Sequence, residues 1–77
     1  MTRKVTLNKL PVGKTGKVFD ITAEGIIRRR LFDLGLIKRT FVKALHISPA
    51  GDPIAYEIRD AVIALRSEEA ENVLIEI

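Results

Sequence analysis

The stretch Glu24–Leu36, EGIIRRRLFDLGL, is the one convincing helix in a chain otherwise made of short β-forming runs and turns. Ile27, Leu31 and Leu34 fall at i, i+4 and i+7, a single apolar stripe at helical spacing. Gly35 follows the stripe, where a left-handed cap ends a helix most cheaply in a residue without a side chain. Arg28, Arg29 and Arg30 are consecutive and fan over about 200° of helix surface, at ~100° per residue. They cannot all face a core, and a core would not accept them unpaired. Asp33 lies within reach of an ion pair with Arg29 or Arg30. The expectation is one inserted helix, about 24–34, with an apolar edge and a cationic back.

Everything around that helix reads as strand and turn. Thr6–Leu10 is a short helical turn closing on Pro11-Val12-Gly13, with Leu7 and Leu10 tucked against the body. Gly16–Thr22 is a first strand and Thr40–Ser48 a second. In the second, Phe41, Leu45 and Ile47 take one parity and Val42 and Ala44 the other, as suits a strand bent around a small barrel. Pro49–Pro53 is a dense turn signal. Ile54–Arg59 alternates, with Ile54, Tyr56 and Ile58 inward and Glu57 and Arg59 outward. Asp60 marks a tight turn because aspartate tolerates left-handed backbone. Ala61–Arg66 is a fourth strand. Ser67 reads as the N-cap of a helical turn near 67–72, with Glu68 and Glu69 in its first turn. Val73–Ile77 is a fifth strand. The inventory predicts a mostly β fold, a small five-stranded barrel in one domain, 1–77. SH3-like and OB-like barrels both fit; the turn lengths and the late helical turn favour SH3-like, with an αβ sandwich behind them.

Composition removes whole classes of function. With 77 residues the core is only just sufficient, and with no cysteine there is no disulfide scaffold, thiolate metal site or thiol catalysis. No apolar run approaches the ~18 residues of a membrane span. MTRKVTLNKL has no apolar segment of the signal-peptide kind, so a cytoplasmic protein is expected. The net charge of +3 is lopsided: residues 1–43 hold eleven Lys or Arg against three acids, and residues 44–77 hold two against seven.

Most tempting chemistry fails on context. Gly13-Lys14-Thr15 ends like a phosphate-binding loop, but the glycine required upstream is Asn8, and a strand rather than a helix follows. His46 is the single histidine and sits in mid-strand, without the converging ligands that a metal needs. Asp52, Glu57 and Asp60 read as solvated turn acids. No Ser or Thr has a base beside it, so no enzyme, cofactor or metal site is expected.

The strongest functional feature is cationic: Arg28, Arg29 and Arg30, with Lys38, Arg39 and Lys43 nearby. As a plain reading this is a solvated face; as a functional one it is a partner-binding surface for an acidic protein or a nucleic acid. Single-strand binders also need aromatic platforms. Phe19, Phe32, Phe41 and Tyr56 are the only aromatic residues, and most are expected in the core.

The order of motifs resembles the FeoA family of ferrous-iron-transport accessory proteins. The family pattern is LxxLxxGxxGxV, a helix ending RRLxxLGL, then PxGDPI and IALRxxEAxxIxV. Leu7, Leu10, Gly13, Gly16 and Val18 match the first block, and Arg29, Arg30, Leu31, Leu34, Gly35 and Leu36 the second. Gly51, Asp52, Pro53 and Ile54, then Ile63 to Arg66, Glu69 and Ala70, match the third. Asp60 stands where a glycine is usual. The resemblance implies an SH3-like barrel and a cytoplasmic partner of the membrane ferrous-iron permease FeoB, whose cytosolic part carries a GTPase domain. It implies a partner rather than an iron carrier; separately, the basic and acidic halves of the sequence can bind each other in a homo-oligomer. Related domains end iron- or manganese-dependent repressors, but no helix-turn-helix is present here. The alternative is a small nucleic-acid-binding barrel using the Arg28–Arg30 helix, although no stable nucleic-acid complex is expected.

Overall fold

The computed structural model describes residues 3–77. Along the chain come β1 (Lys4–Thr6), a 3-10 turn (Leu7–Lys9), β2 (Thr15–Ile21), α1 (Gly25–Asp33), β3 (Phe41–Ile47), β4 (Ile54–Ile58), β5 (Ala61–Leu65), α2 (Ser67–Ala70) and β6 (Val73–Glu76). One antiparallel sheet takes the order β1-β6-β2-β3-β4-β5. The mostly β expectation holds, with six strands rather than five. β1 escapes a sequence reading because its three residues KVT are too short a run for alternation to mark a strand. It exists through distant pairing, Lys4 with Glu76 and Val5 with Ile75.

Two bulges bend the sheet around its core. β2 pairs Val18 with Ile75 and then Asp20 with Leu74, so Phe19 is the extra residue. That insertion is why Val18 and Ile21, of opposite parity, are both buried while Phe19 is 40% exposed. β3 pairs Ala44 with Tyr56 and then His46 with Ala55, leaving Leu45 as the extra residue. Before that bulge Val42 and Ala44 face the core, and Phe41, on the other side, is 63% exposed. β4 is regular: Ile54, Tyr56 and Ile58 are buried as expected. Its turn into β5 holds Arg59 at φ 51° and Asp60 at φ 68°, the two left-handed residues that a type I′ hairpin demands.

α1 ends in a complete Schellman motif. The Leu36 N–H donates to the Leu31 carbonyl at 3.1 Å and the Gly35 N–H to that of Phe32 at 2.9 Å. Gly35 has φ +100°, and a Cβ there would also lie 3.2 Å from Ile58 Cγ2. The motif folds Leu36 back beside Leu31, and both are fully buried. The expected stripe is corrected accordingly. The helix is held at its C-terminal end, by Leu31 and Leu36 with Leu34 half-buried, so Ile27 is 51% and Ile26 86% exposed.

α2 is also corrected at its start. Arg66, not Ser67, is the N-cap residue. The Ser67 N–H donates to Asp52 Oδ1 at 2.7 Å, so a carboxylate from the β3–β4 turn caps the helix across space. Asp52 is thus half-buried and engaged rather than a solvated turn acid.

Candidate interaction surface

The three consecutive arginines divide by task once α1 is in place. Arg28 turns inward along the helix: its Nη1 donates to the Ile21 carbonyl at 2.8 Å, and its guanidinium carbon lies 4.7 Å from the Phe32 ring centroid. Arg30 pairs with Glu69 of α2, the one salt bridge among the described residues. The expected local pair with Asp33 gives way to this longer-range one, because α2 brings a carboxylate against the helix. Arg29 is exposed.

Lys38 and Arg39 belong to a different cleft. With Lys17, Val18, Phe19, Asp20 and Glu76 they line a depression of about 490 Å³. Arg30 lines a second, of about 470 Å³, with Ile27, Arg66, Glu68, Glu69 and Asn72. The fold therefore does not gather Arg28, Arg29, Arg30, Lys38 and Arg39 into one site. It places Lys38 and Arg39 with Lys17 and commits Arg28 and Arg30 to contacts within the chain.

Arg39 carries the local strain. Its φ is 72°, a left-handed backbone that costs a residue with a Cβ about 1–2 kcal/mol. The chain holds it there between two bonds to β2: the Arg39 N–H donates to the Val18 carbonyl and the Val18 N–H to the Thr40 carbonyl, each at 2.8 Å. Such conformations persist where the surroundings over-determine them, and they concentrate at functional positions.

The aromatic residues beside this cleft were missed by sequence reasoning. Phe19 and Phe41 lie on the outer sheet face, not in the core. Lys4 Nζ sits 4.2 Å over the Phe19 ring and Lys17 Nζ 5.8 Å over that of Phe41. A parity count across a bulge could have flagged Phe41, whose neighbours Val42 and Ala44 compete with it for the inside. His46 is exposed, and among the described residues no group of three or more His, Cys, Asp or Glu side chains converges as metal ligands would. No helix of the described residues is long and apolar enough to cross a membrane.

The FeoA domain model matches residues 5–77. The chain belongs to the FeoA family. Proteins of this family are associated with ferrous iron transport. One relative is the Fe(2+) transport protein A/Fe(2+) transporter FeoB fusion protein of Porphyromonas gingivalis, 25% identical over 92% of this chain. The chain spans only 8% of that relative's length. Among solved structures, the FeoA-like protein of Clostridium acetobutylicum is 34% identical with a TM-score of 0.91, covering all of this chain and 90% of that one. The FeoA of Stenotrophomonas maltophilia, described as a prokaryotic SH3 domain protein and solved with zinc, is 31% identical with a TM-score of 0.82. That match covers 92% of this chain and 88% of the other. The fold is thus the SH3-like one, here with its sheet left open between β1 and β5.

Proposed function

We propose that this FeoA chain supports ferrous-iron uptake as a non-enzymatic cytoplasmic partner of a FeoB-type permease. It docks an acidic, partly apolar surface of the permease's cytosolic part against the cleft of Lys17, Lys38 and Arg39, with Phe41 alongside. The observation that carries this reading is Arg39, held at left-handed φ in the cleft that it lines with Lys17 and Lys38. The fusion of an Fe(2+) transport protein A with a FeoB transporter in a relative supports this choice of partner. Guanidinium and ammonium groups on a rim steer an acidic surface and bind its carboxylates. Arg29 adds charge from the helix.

Replacing Lys38 and Arg39 together by glutamate should leave the fold intact and weaken binding to the cytosolic part of the permease by roughly tenfold or more. Fluorescence anisotropy with the purified partner measures this, and rising salt should imitate the loss. Unchanged affinity in a folded double variant would remove the cleft from the interface.

One observation favours a second reading. Exposed Phe19 and Phe41 beside Lys4, Lys17 and Lys38 combine base-stacking surfaces with cations, as single-strand binders do. An oligonucleotide titration separates the two. Phosphate contacts by about three cations give a log–log salt slope near −2 on a single strand, whereas the permease reading expects no binding at physiological salt.

A further inference from the structure

The two edges of the open sheet are not alike. β1 is three residues long, carries Lys4 and follows Arg3, and short charged strands are how natural sheets blunt an edge. β5, Ala61–Leu65, is AVIAL: five residues without charge or proline. Among the described residues its only strand partner is β4. No other backbone or side-chain hydrogen bond among the described residues reaches any residue from 61 to 65. Ala61, Val62 and Ala64 are exposed, Val62 at 65%. An unguarded edge of this kind is a template for another strand.

We propose that β5 pairs antiparallel with the β5 of a second copy of this chain, in a two-fold dimer centred on Ile63. The charges that flank the strand favour this occupant. An antiparallel pairing about Ile63 sets Val62 against Ala64 of the other copy and Ala61 against Leu65. One residue further out, it sets Asp60 against Arg66. Two-fold symmetry makes that contact twice, so a neutral apolar strand pair is closed at both ends by opposite charges. Shifting the register by two residues loses both contacts, and a parallel pairing sets Asp60 against Asp60 and Arg66 against Arg66. Asp60 and Arg66 are both exposed, and neither takes part in a salt bridge among the described residues. Asp60 sits at the left-handed end of the β4–β5 turn and Arg66 in extended backbone before α2, so both flank the strand directly. A single strand pair buries less than a standard interface, so the dimer is weak and forms in concentrated protein.

Sedimentation equilibrium of the full chain over a wide concentration range tests this, with hydrogen exchange of the β5 amides at both ends of the range. The expected result is reversible dimerisation with β5 amides that slow only in the dimer. Asp60→Lys or Arg66→Glu alone should weaken it at least tenfold, and the two together should restore it to within a few-fold. Arg66→Glu should melt like the parent and Asp60→Lys a little lower, because lysine suits the left-handed turn less well. A monomer at every concentration overturns the proposal. So does a dimer unmoved by the single changes, or one that the double change fails to rescue. Protection of the β5 amides only on adding a different protein would also overturn it, by giving the edge to another occupant. If a charge variant does not fold, the exchange pattern of the unmodified chain decides alone: β5 must slow with concentration while β1 does not.

Discussion

Tyr56 ties the two ends of the core together and sets a limit on alkaline stability. Its ring is fully buried, and its hydroxyl donates to the Leu7 carbonyl at 3.3 Å, which also accepts the Leu10 N–H at 3.0 Å. Burial, and then the nearby Asp52 charge, push its pKa from 10.0 up to about 12. In the unfolded chain the phenol ionises near 10, so the neutral-tyrosine contribution is whole below that pH and is lost as pH rises toward 12. Denaturant midpoints should therefore fall steeply between these values, by up to ~1.4 kcal/mol per pH unit from this group. Tyr56→Phe should cost about 1 kcal/mol at neutral pH and flatten the alkaline fall. An equally steep fall in the phenylalanine variant would assign it to other groups. At the same scale, Arg39 and Arg59 are residues whose left-handed backbone no sequence rule announces. Left-handed positions are read from glycine, asparagine and aspartate, and arginine is none of these.

The elements show what a sequence reveals and where it stops. The end of α1 was legible because Gly35 and the flanking leucines are a local signal, complete within one turn of chain. The face of α1 was not, because Ile27 has helical spacing but nothing of the sheet reaches it. The strands followed the same division. β4 alternates without interruption and reads correctly, whereas the bulges at Phe19 and Leu45 shift parity inside a strand, so one alternation cannot be carried from Val18 to Ile21 or from Ala44 to Ile47. The candidate site was legible as a set of charges and not as a place. Only the folded chain separates Arg28, bonded to Ile21, from Lys38 and Arg39 in the cleft. The helix makes a direct prediction. Leu31→Ala should cost about 2–5 kcal/mol, a large part of what so small a domain possesses. Ile27→Ala, by contrast, should fall within ~0.5 kcal/mol as an exposed change. Chemical denaturation of the two side by side checks the pair, and equal losses would mean that the whole stripe is anchored.

For the molecule as a whole, the controlling fact is where β6 lies. Four strands, β2 and β6 with β1 and β3 flanking them, can be assembled only with β6 between β1 and β2. Val73 and Ile75 are fully buried in it. The N–H groups of Arg3 and Ile77 each bond the other's carbonyl, at 3.1 and 2.9 Å, extending the β1–β6 ladder. Ending the chain after Asn72 should thus abolish cooperative melting by circular dichroism, not merely lower its midpoint, since it leaves β1 without its partner and strips β2 of its β6 partner from Lys17 to Ile21. A cooperative transition in the shortened chain would show that the β2–β5 meander is stable by itself.

The placement of β6 also orders events during synthesis. The strands from β2 to β5 pair with their neighbours in sequence, so their hairpins can form as the polypeptide leaves the ribosome. β1 emerges before them all and yet has no partner until β6 has been released. The nascent domain must therefore carry a bare first strand, blunted by Lys4 and Arg3, until its sixth strand has been made.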